Sequence, residues 1–114
     1  MMGTIAASSN NGITYRQEHF TFTTTKNGIV NLRVDYELNL SLPISWSSTG
    51  DVVTTGNTTN IDLTGNTGST TVLVTVDIPS DKNFNILYCF SNEITIIDLS
   101  ECTDLVMVLC AFNN

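Results

Sequence analysis

The sequence predicts an all-β fold: a β-sandwich followed by a short repeat-like extension. Three observations carry this reading. Val30, Leu32, Val34, Tyr36, Leu38, Leu40 and Leu42 occupy every second position of a 13-residue stretch, and Val72, Val74, Val76 and Ile78 repeat the pattern. A period of two turns one face of a strand to a core and the other to water, whereas a helix would scatter these residues around its circumference. Before residue 80 no segment carries a 3.6-residue period with caps. Residues 84–114 match themselves at an offset of 21, which sets Phe84 on Leu105, Leu87 on Val108, Cys89 on Cys110 and Asn92 on Asn113.

Taken in order, residues 1–18 are polar and weakly patterned, and Ser8-Ser-Asn-Asn-Gly12 has linker composition. They read as an N-terminal arm, ordered only against a neighbour. The sandwich is assigned to residues 19–82. His19 to Thr25 alternates with Phe20 and Phe22 on one face, and Lys26-Asn27-Gly28 supplies a turn that favours a hairpin into the next strand. The stretch from Val30 to Leu42 is long for one strand, so a bend or bulge near Asn39, or two consecutive strands, is expected. Pro43 breaks the ladder or sits on an edge. Trp46 is the expected core anchor of the strand that starts at Ile44. Short strands follow at Val52–Gly56, Asn60–Leu63 and Thr71–Ile78, separated by Gly- and Asn-rich turns. Several short strands at this spacing argue for two packed sheets. Residues 83–114 form the extension.

The half-repeat within 84–114 reads L-x-x-L-x-C-x-x-N, with Ile94-Thr-Ile-Ile-Asp-Leu-Ser-Glu-Cys-Thr103 between copies. This stretch resembles the leucine-rich repeats of surface proteins from Bacteroidetes-type bacteria. The resemblance implies strands stacked as parallel rungs, with an inward Cys and an Asn that ladders the turn backbone. Residues 19–79 resemble the PKD-type immunoglobulin-like β-sandwich that often precedes such repeats. Trp46 is kept, and Ser-Ser-Thr-Gly50-Asp51 stands where that family has its tight Gly-Asp-Gly. The combination also resembles small structural proteins of tailed phages, in which such modules decorate capsids or tails. About three repeats are needed for a solenoid core to stand alone, so this extension is expected to continue a sheet of the sandwich.

Composition narrows the functional classes. At 114 residues the chain is one domain, or one domain plus a stub. Charged residues are 13%, and Thr, Ser and Asn together make up 41 positions, which suits water-facing β-surfaces. The net charge of −7 argues against a nucleic-acid or anionic-membrane partner. No apolar run reaches membrane-spanning length. The first ten residues have neither a basic nor an apolar segment of a secretory signal, so a chain made and used without secretion, or one whose signal was replaced, is expected.

Chemistry-bearing motifs are sparse. His19 is the one histidine, and the alternation places it opposite the two Phe rings as an exposed strand residue. No C-x-x-C, G-x-G-x-x-G or P-loop occurs. Cys89 and Cys110, one rung apart, are expected to stack inward as buried thiols. A rung spacing of roughly 5 Å is compatible with a disulfide without demanding one. Cys102 is placed at a turn, more exposed. Asp77, Asp81, Asp98, Glu101 and Asp104 could gather at the junction as a weak Ca²⁺ site, but the favoured reading is that Asp98 caps a repeat turn and the others solvate the surface. No catalytic, cofactor-binding or metal-ligating residue is assigned. The expectation is a non-enzymatic structural or interaction protein: a virion component, either capsid decoration or tail fibre, that associates with itself or with a shell or fibre lattice. The alternative is a piece of a bacterial cell-surface adhesin or glycan-binding protein. The contact residues expected are Phe90, Leu109, Phe112, Asn113 and Asn114, at the open end of the repeat.

Overall fold

The computed structural model describes residues 14–37, 40–90 and 92–110. In chain order these form β1 (Tyr15–Thr24), β2 (Ile29–Asn31), β3 (Arg33–Glu37), β4 (Leu40–Ser41), β5 (Ile44–Gly50), β6 (Thr55–Gly56), β7 (Asn60–Asp62), β8 (Thr70–Pro79), β9 (Ile86–Tyr88), β10 (Ile94–Asp98) and β11 (Met107–Leu109). Among the described residues there is no helix long and apolar enough to cross a membrane. The fold is all-β, and its sheets pack as a sandwich.

The first sheet has the order β10-β1-β8-β5-β6. Its centre is the antiparallel ladder of β1 with β8, which runs from Tyr15↔Pro79 to Thr24↔Thr70. The alternation in sequence dictates which face is covered. Phe20 and Phe22 of β1, and Val72, Val74, Val76 and Ile78 of β8, are at most 2% exposed. β5 adds Ile44 and Trp46 to the same face. Trp46 is the anchor the sequence suggests, and its indole Nε1 donates to Thr58 O at 2.9 Å. Its ring lies so close to β6 that a Cβ on Gly56 would stand 2.5 Å from it, so only glycine fits there.

The second layer is β11-β9-β3-β4, with the β2-β7 pair beside it. Only Leu32 separates β2 from β3. Val30, Val34, Ile61, Leu63 and Leu87 face the first sheet and are no more than 1% exposed. The Phe20 and Phe84 rings meet between the layers at 5.9 Å. Burying each such side chain stabilises the fold by about 1.5–3 kcal/mol, which makes this shared face the main source of stability.

Several expectations change. Asn39 lies outside the described residues; on either side of it the stretch forms separate strands, and β3 pairs antiparallel with β4 through Asp35↔Ser41 and Glu37↔Leu40. Leu42 N then donates to Val34 O at 2.7 Å, so the alternation passes through a hairpin and returns to the core. Lys26-Asn27-Gly28 does not close a hairpin, because both flanks of β1 are occupied by β8 and β10. That turn instead carries the chain between layers. Gly28, at φ 149°, accepts through its carbonyl from Leu63 N at 2.8 Å, and Asn27 Oδ1 accepts from Gly65 N at 2.9 Å. β1 begins at Tyr15, so Tyr15 to Glu18 belong to the central ladder and not to the arm; residues 1–13 lie outside the described residues. The extension continues the sandwich, as expected, but enters both sheets and not one. It gives β9 to the second sheet and β10 to the first, so a boundary at 82/83 cuts through one core.

Asp35 departs most from the simple alternation. The sequence assigns it to water, yet it is 0% exposed. Arg33 Nε donates to both of its carboxylate oxygens at 3.0 Å, and the guanidinium lies over the Tyr88 ring at 5.5 Å. A buried carboxylate is tolerated only when paired and hydrogen-bonded in this way.

Candidate protein-interaction edge

The 21-residue self-match appears in space as a parallel pair. β11 lies beside β9 in the register Ile86↔Met107, Leu87↔Val108 and Tyr88↔Leu109, each pair 21 apart. Asn92, one of the matched positions, is 1% exposed and hydrogen-bonds as a strand would. Its Oδ1 accepts from Asn31 N at 3.2 Å, and its Nδ2 donates to Asn31 O at 2.8 Å. It therefore ladders a neighbouring strand, β2. The matching Asn113 lies outside the described residues.

The cysteine expectation needs correction. Cys89 and Cys110 are joined as a disulfide, with Cα atoms 4.7 Å apart across the rung. The parallel register brings equivalent positions to one strand spacing, within the range a disulfide accepts. Cys102 is not exposed at its turn: it is 5% exposed, and its Sγ donates to His19 O at 3.4 Å. Burial, reinforced by Glu18, Glu101 and Asp98, pushes its thiol up to about 11, so it stays protonated and unreactive at neutral pH.

β11 ends the second sheet and β10 ends the first. Residues 89–93 join β9 to β10, so both edges flank the same margin of the sandwich. Met107 N donates to Asn85 O at 3.1 Å, and Cys89 N donates to Leu109 O at 2.9 Å. Because a parallel ladder alternates, the amide and carbonyl of Val108 point away from β9. Val108 is in register with Leu87, but Leu87 is 0% exposed and Val108 is 43% exposed, since among the described residues β11 ends the sheet. Val106 at 83%, Met107 at 43% and Ile96 at 65% extend the apolar margin. Natural edge strands usually carry Lys, Pro or inward charge to discourage pairing, and neither β10 nor β11 has one.

Of the contact residues expected from sequence, Phe90 is 44% exposed and packs on Tyr88 at 6.3 Å. With Asn31, Leu32 and Arg33 these rings line an open recess of about 220 Å³. Leu109 is half-buried in β11, paired with Tyr88. Phe112, Asn113 and Asn114 lie outside the described residues. Sequence reasoning missed Ile96 and Val106 to Val108. The signal that points to them is the self-match itself, because Val108 repeats the buried Leu87 on a strand that ends its sheet among the described residues.

The titratable groups are dispersed. Among the described residues no three of His, Cys, Asp or Glu converge as a metal site. Asp77 accepts from Gln17 at 2.9 Å, and Asp104 pairs with Arg16 at 3.4 Å. Asp98 accepts hydrogen bonds from the Ser100 side chain and backbone, which hold its carboxyl below the usual range. His19 is half-buried rather than exposed, and its Nδ1 shares a hydrogen bond with Thr75 Oγ1 at 2.9 Å.

Glu18 is the strained member. Its side chain is 12% exposed and pairs with Arg16 at 3.2 Å, while Oε1 has no protein partner. Burial raises its pKa; Arg16 opposes the rise and Asp104 adds to it. A carboxyl with a raised folded-state pKa binds more protons folded than unfolded, so it costs stability as pH rises from the ordinary Glu value through the raised one. Glu18→Gln is expected to raise the unfolding midpoint at pH 7 and to flatten the wild-type decline above about pH 4.3. Equal pH profiles for the two proteins would refute that assignment.

No family model, curated protein or solved structure matches this chain.

Proposed function

We propose that the protein is a non-enzymatic structural module that joins a larger protein assembly by strand addition at the β10/β11 margin. The observation that carries this is Val108: an aliphatic in register with the buried Leu87, 43% exposed, on a strand that ends its sheet among the described residues. Strand addition would satisfy the ladder and cover the side chain together. A virion shell, decoration layer or tail fibre is the kind of lattice such an edge fits, in keeping with the resemblance to phage modules. The test is sedimentation velocity at micromolar concentration in ordinary salt. The expected result is a mass that rises with concentration. A sharp boundary at the 12.4 kDa monomer mass throughout, in ordinary and in high salt alike, would sink the reading.

A second reading, a piece of a bacterial surface repeat protein, is favoured by the parallel pairing at offset 21. In that case the Tyr88–Phe90 recess is the natural place for a sugar ring. Calorimetric titration with bacterial oligosaccharides, and loss of any signal in Phe90→Ala, separates it from the first.

A further inference from the structure

Among the described residues, the exposed aliphatic side chains at the edges of the two larger sheets fall on two opposite margins of the sandwich; Ile29, 47% exposed, lies apart on β2. Ile96, Val106, Met107 and Val108 stand where β10 and β11 end the two sheets. Leu40 and Val53, 42% and 77% exposed, stand where β4 and β6 end the same two sheets. Leu42 and Pro43 join β4 directly to β5, the neighbour of β6, so this margin also holds one edge of each sheet.

Strand direction makes the two margins complementary. In the first sheet every step from β10 through β1, β8 and β5 to β6 is antiparallel, so β10 and β6 run the same way. In the second sheet β11 is parallel to β9, and two antiparallel steps through β3 lead to β4, so β11 and β4 also run the same way. A copy displaced sideways, without inversion, would set β11 parallel to β4 and β10 parallel to β6 together. The second sheet already accepts a parallel neighbour of three residues, namely β11 itself. None of β4, β6, β10 and β11 contains a Lys or Arg that would oppose pairing.

We infer that the occupant of the β10/β11 margin is the β4/β6 margin of a second copy of this chain. This rests on the strand-addition reading above and specifies its partner. The contact is head-to-tail, so each added copy presents a fresh β10/β11 margin. Growth continues as a fibre unless the rotation at each junction closes a ring. Sheet twist of roughly 20–25° per strand would wind the array. The net charge of −7 opposes approach, so association strengthens as salt screens it.

The test uses one lysine on each margin, Val108→Lys and Leu40→Lys, with near-ultraviolet circular dichroism to show that each variant is folded. Ile96→Lys and Val53→Lys, at more exposed positions of the same margins, replace any variant that is not. Light scattering at micromolar concentration and high salt is expected to show wild type forming species beyond the dimer. Each variant alone should remain monomeric. Their equimolar mixture should regain a species of twice the 12.4 kDa monomer mass and stop there, because each supplies one intact margin. If Val108→Lys is monomeric while Leu40→Lys still associates, pairing is between identical margins; that overturns the head-to-tail contact and leaves the strand-addition reading standing. A wild type that remains monomeric at every salt concentration overturns both.

Discussion

Arg33→Ala is expected to destabilise the protein by about 3 kcal/mol, more than Asp35→Asn does. The asymmetry follows from burial. The Asp35 side chain is 0% exposed and that of Arg33 is 40% exposed. Removing the carboxylate leaves a guanidinium that reaches water and still lies over Tyr88. Removing the guanidinium leaves a carboxylate that must stay charged without its partner or take up a proton. The cost is placed at the low end for a broken buried pair because Arg33 is itself partly solvated. Urea unfolding of the two variants at pH 7 measures both losses. An equal loss in Asp35→Asn would show that Arg33 acts through packing alone.

The second large effect is expected at the disulfide. Reducing the Cys89–Cys110 bond, or replacing Cys110 by Ser, should cost about 3 kcal/mol on the chain-entropy estimate for a loop of 21 residues. The loss should fall unevenly. β11 pairs over three residues, and Val108 and Met107 are each 43% exposed, so little packing holds it. Hydrogen exchange at residues 107–109 should therefore rise on reduction well before the β1–β8 ladder responds. Unchanged exchange there with a lower urea midpoint would mean that the bond acts on the unfolded chain alone.

The β-character of this chain was legible because Val72 to Ile78 and Val30 to Leu42 alternate without exception, and burial follows that alternation in β8 and in most of β2 and β3. The register of β9 with β11 was legible too, since a self-match at offset 21 becomes a parallel pairing at the same offset. Sheet order was not legible. Phe20 and Phe22 say that β1 has a buried face and do not say that β8 and β10, rather than β2, lie beside it. The Asn27-Gly28 turn suits a hairpin locally, but β1 had no free flank to offer. Asp35 failed for a related reason: period-2 patterning assigns a face, and it does not reveal that Arg33 reaches across that face to cover it. The candidate edge was half visible. Phe90 and Leu109 were singled out from sequence, whereas Val106 to Val108 were not, because period and self-match do not show that β11 ends its sheet among the described residues.

The position of β1 has a consequence for the timing of synthesis. It is the earliest of the described strands, yet its partners come late: Gln17 bonds Asp77 60 residues on, His19 bonds Thr75 56 residues on, and Thr23 bonds Thr95 72 residues on. At 5–20 residues per second, roughly 3–11 s pass between the emergence of β1 and that of β8. Through that interval Phe20 and Phe22 have no sheet to enter. Such non-local topology belongs to the slow folders, which reach the native state in about milliseconds to seconds once the partners are present. Nascent chains are thus at their most vulnerable before β8 is made, and a ribosome-bound holdase that covers Phe20 and Phe22 should raise the yield of folded protein.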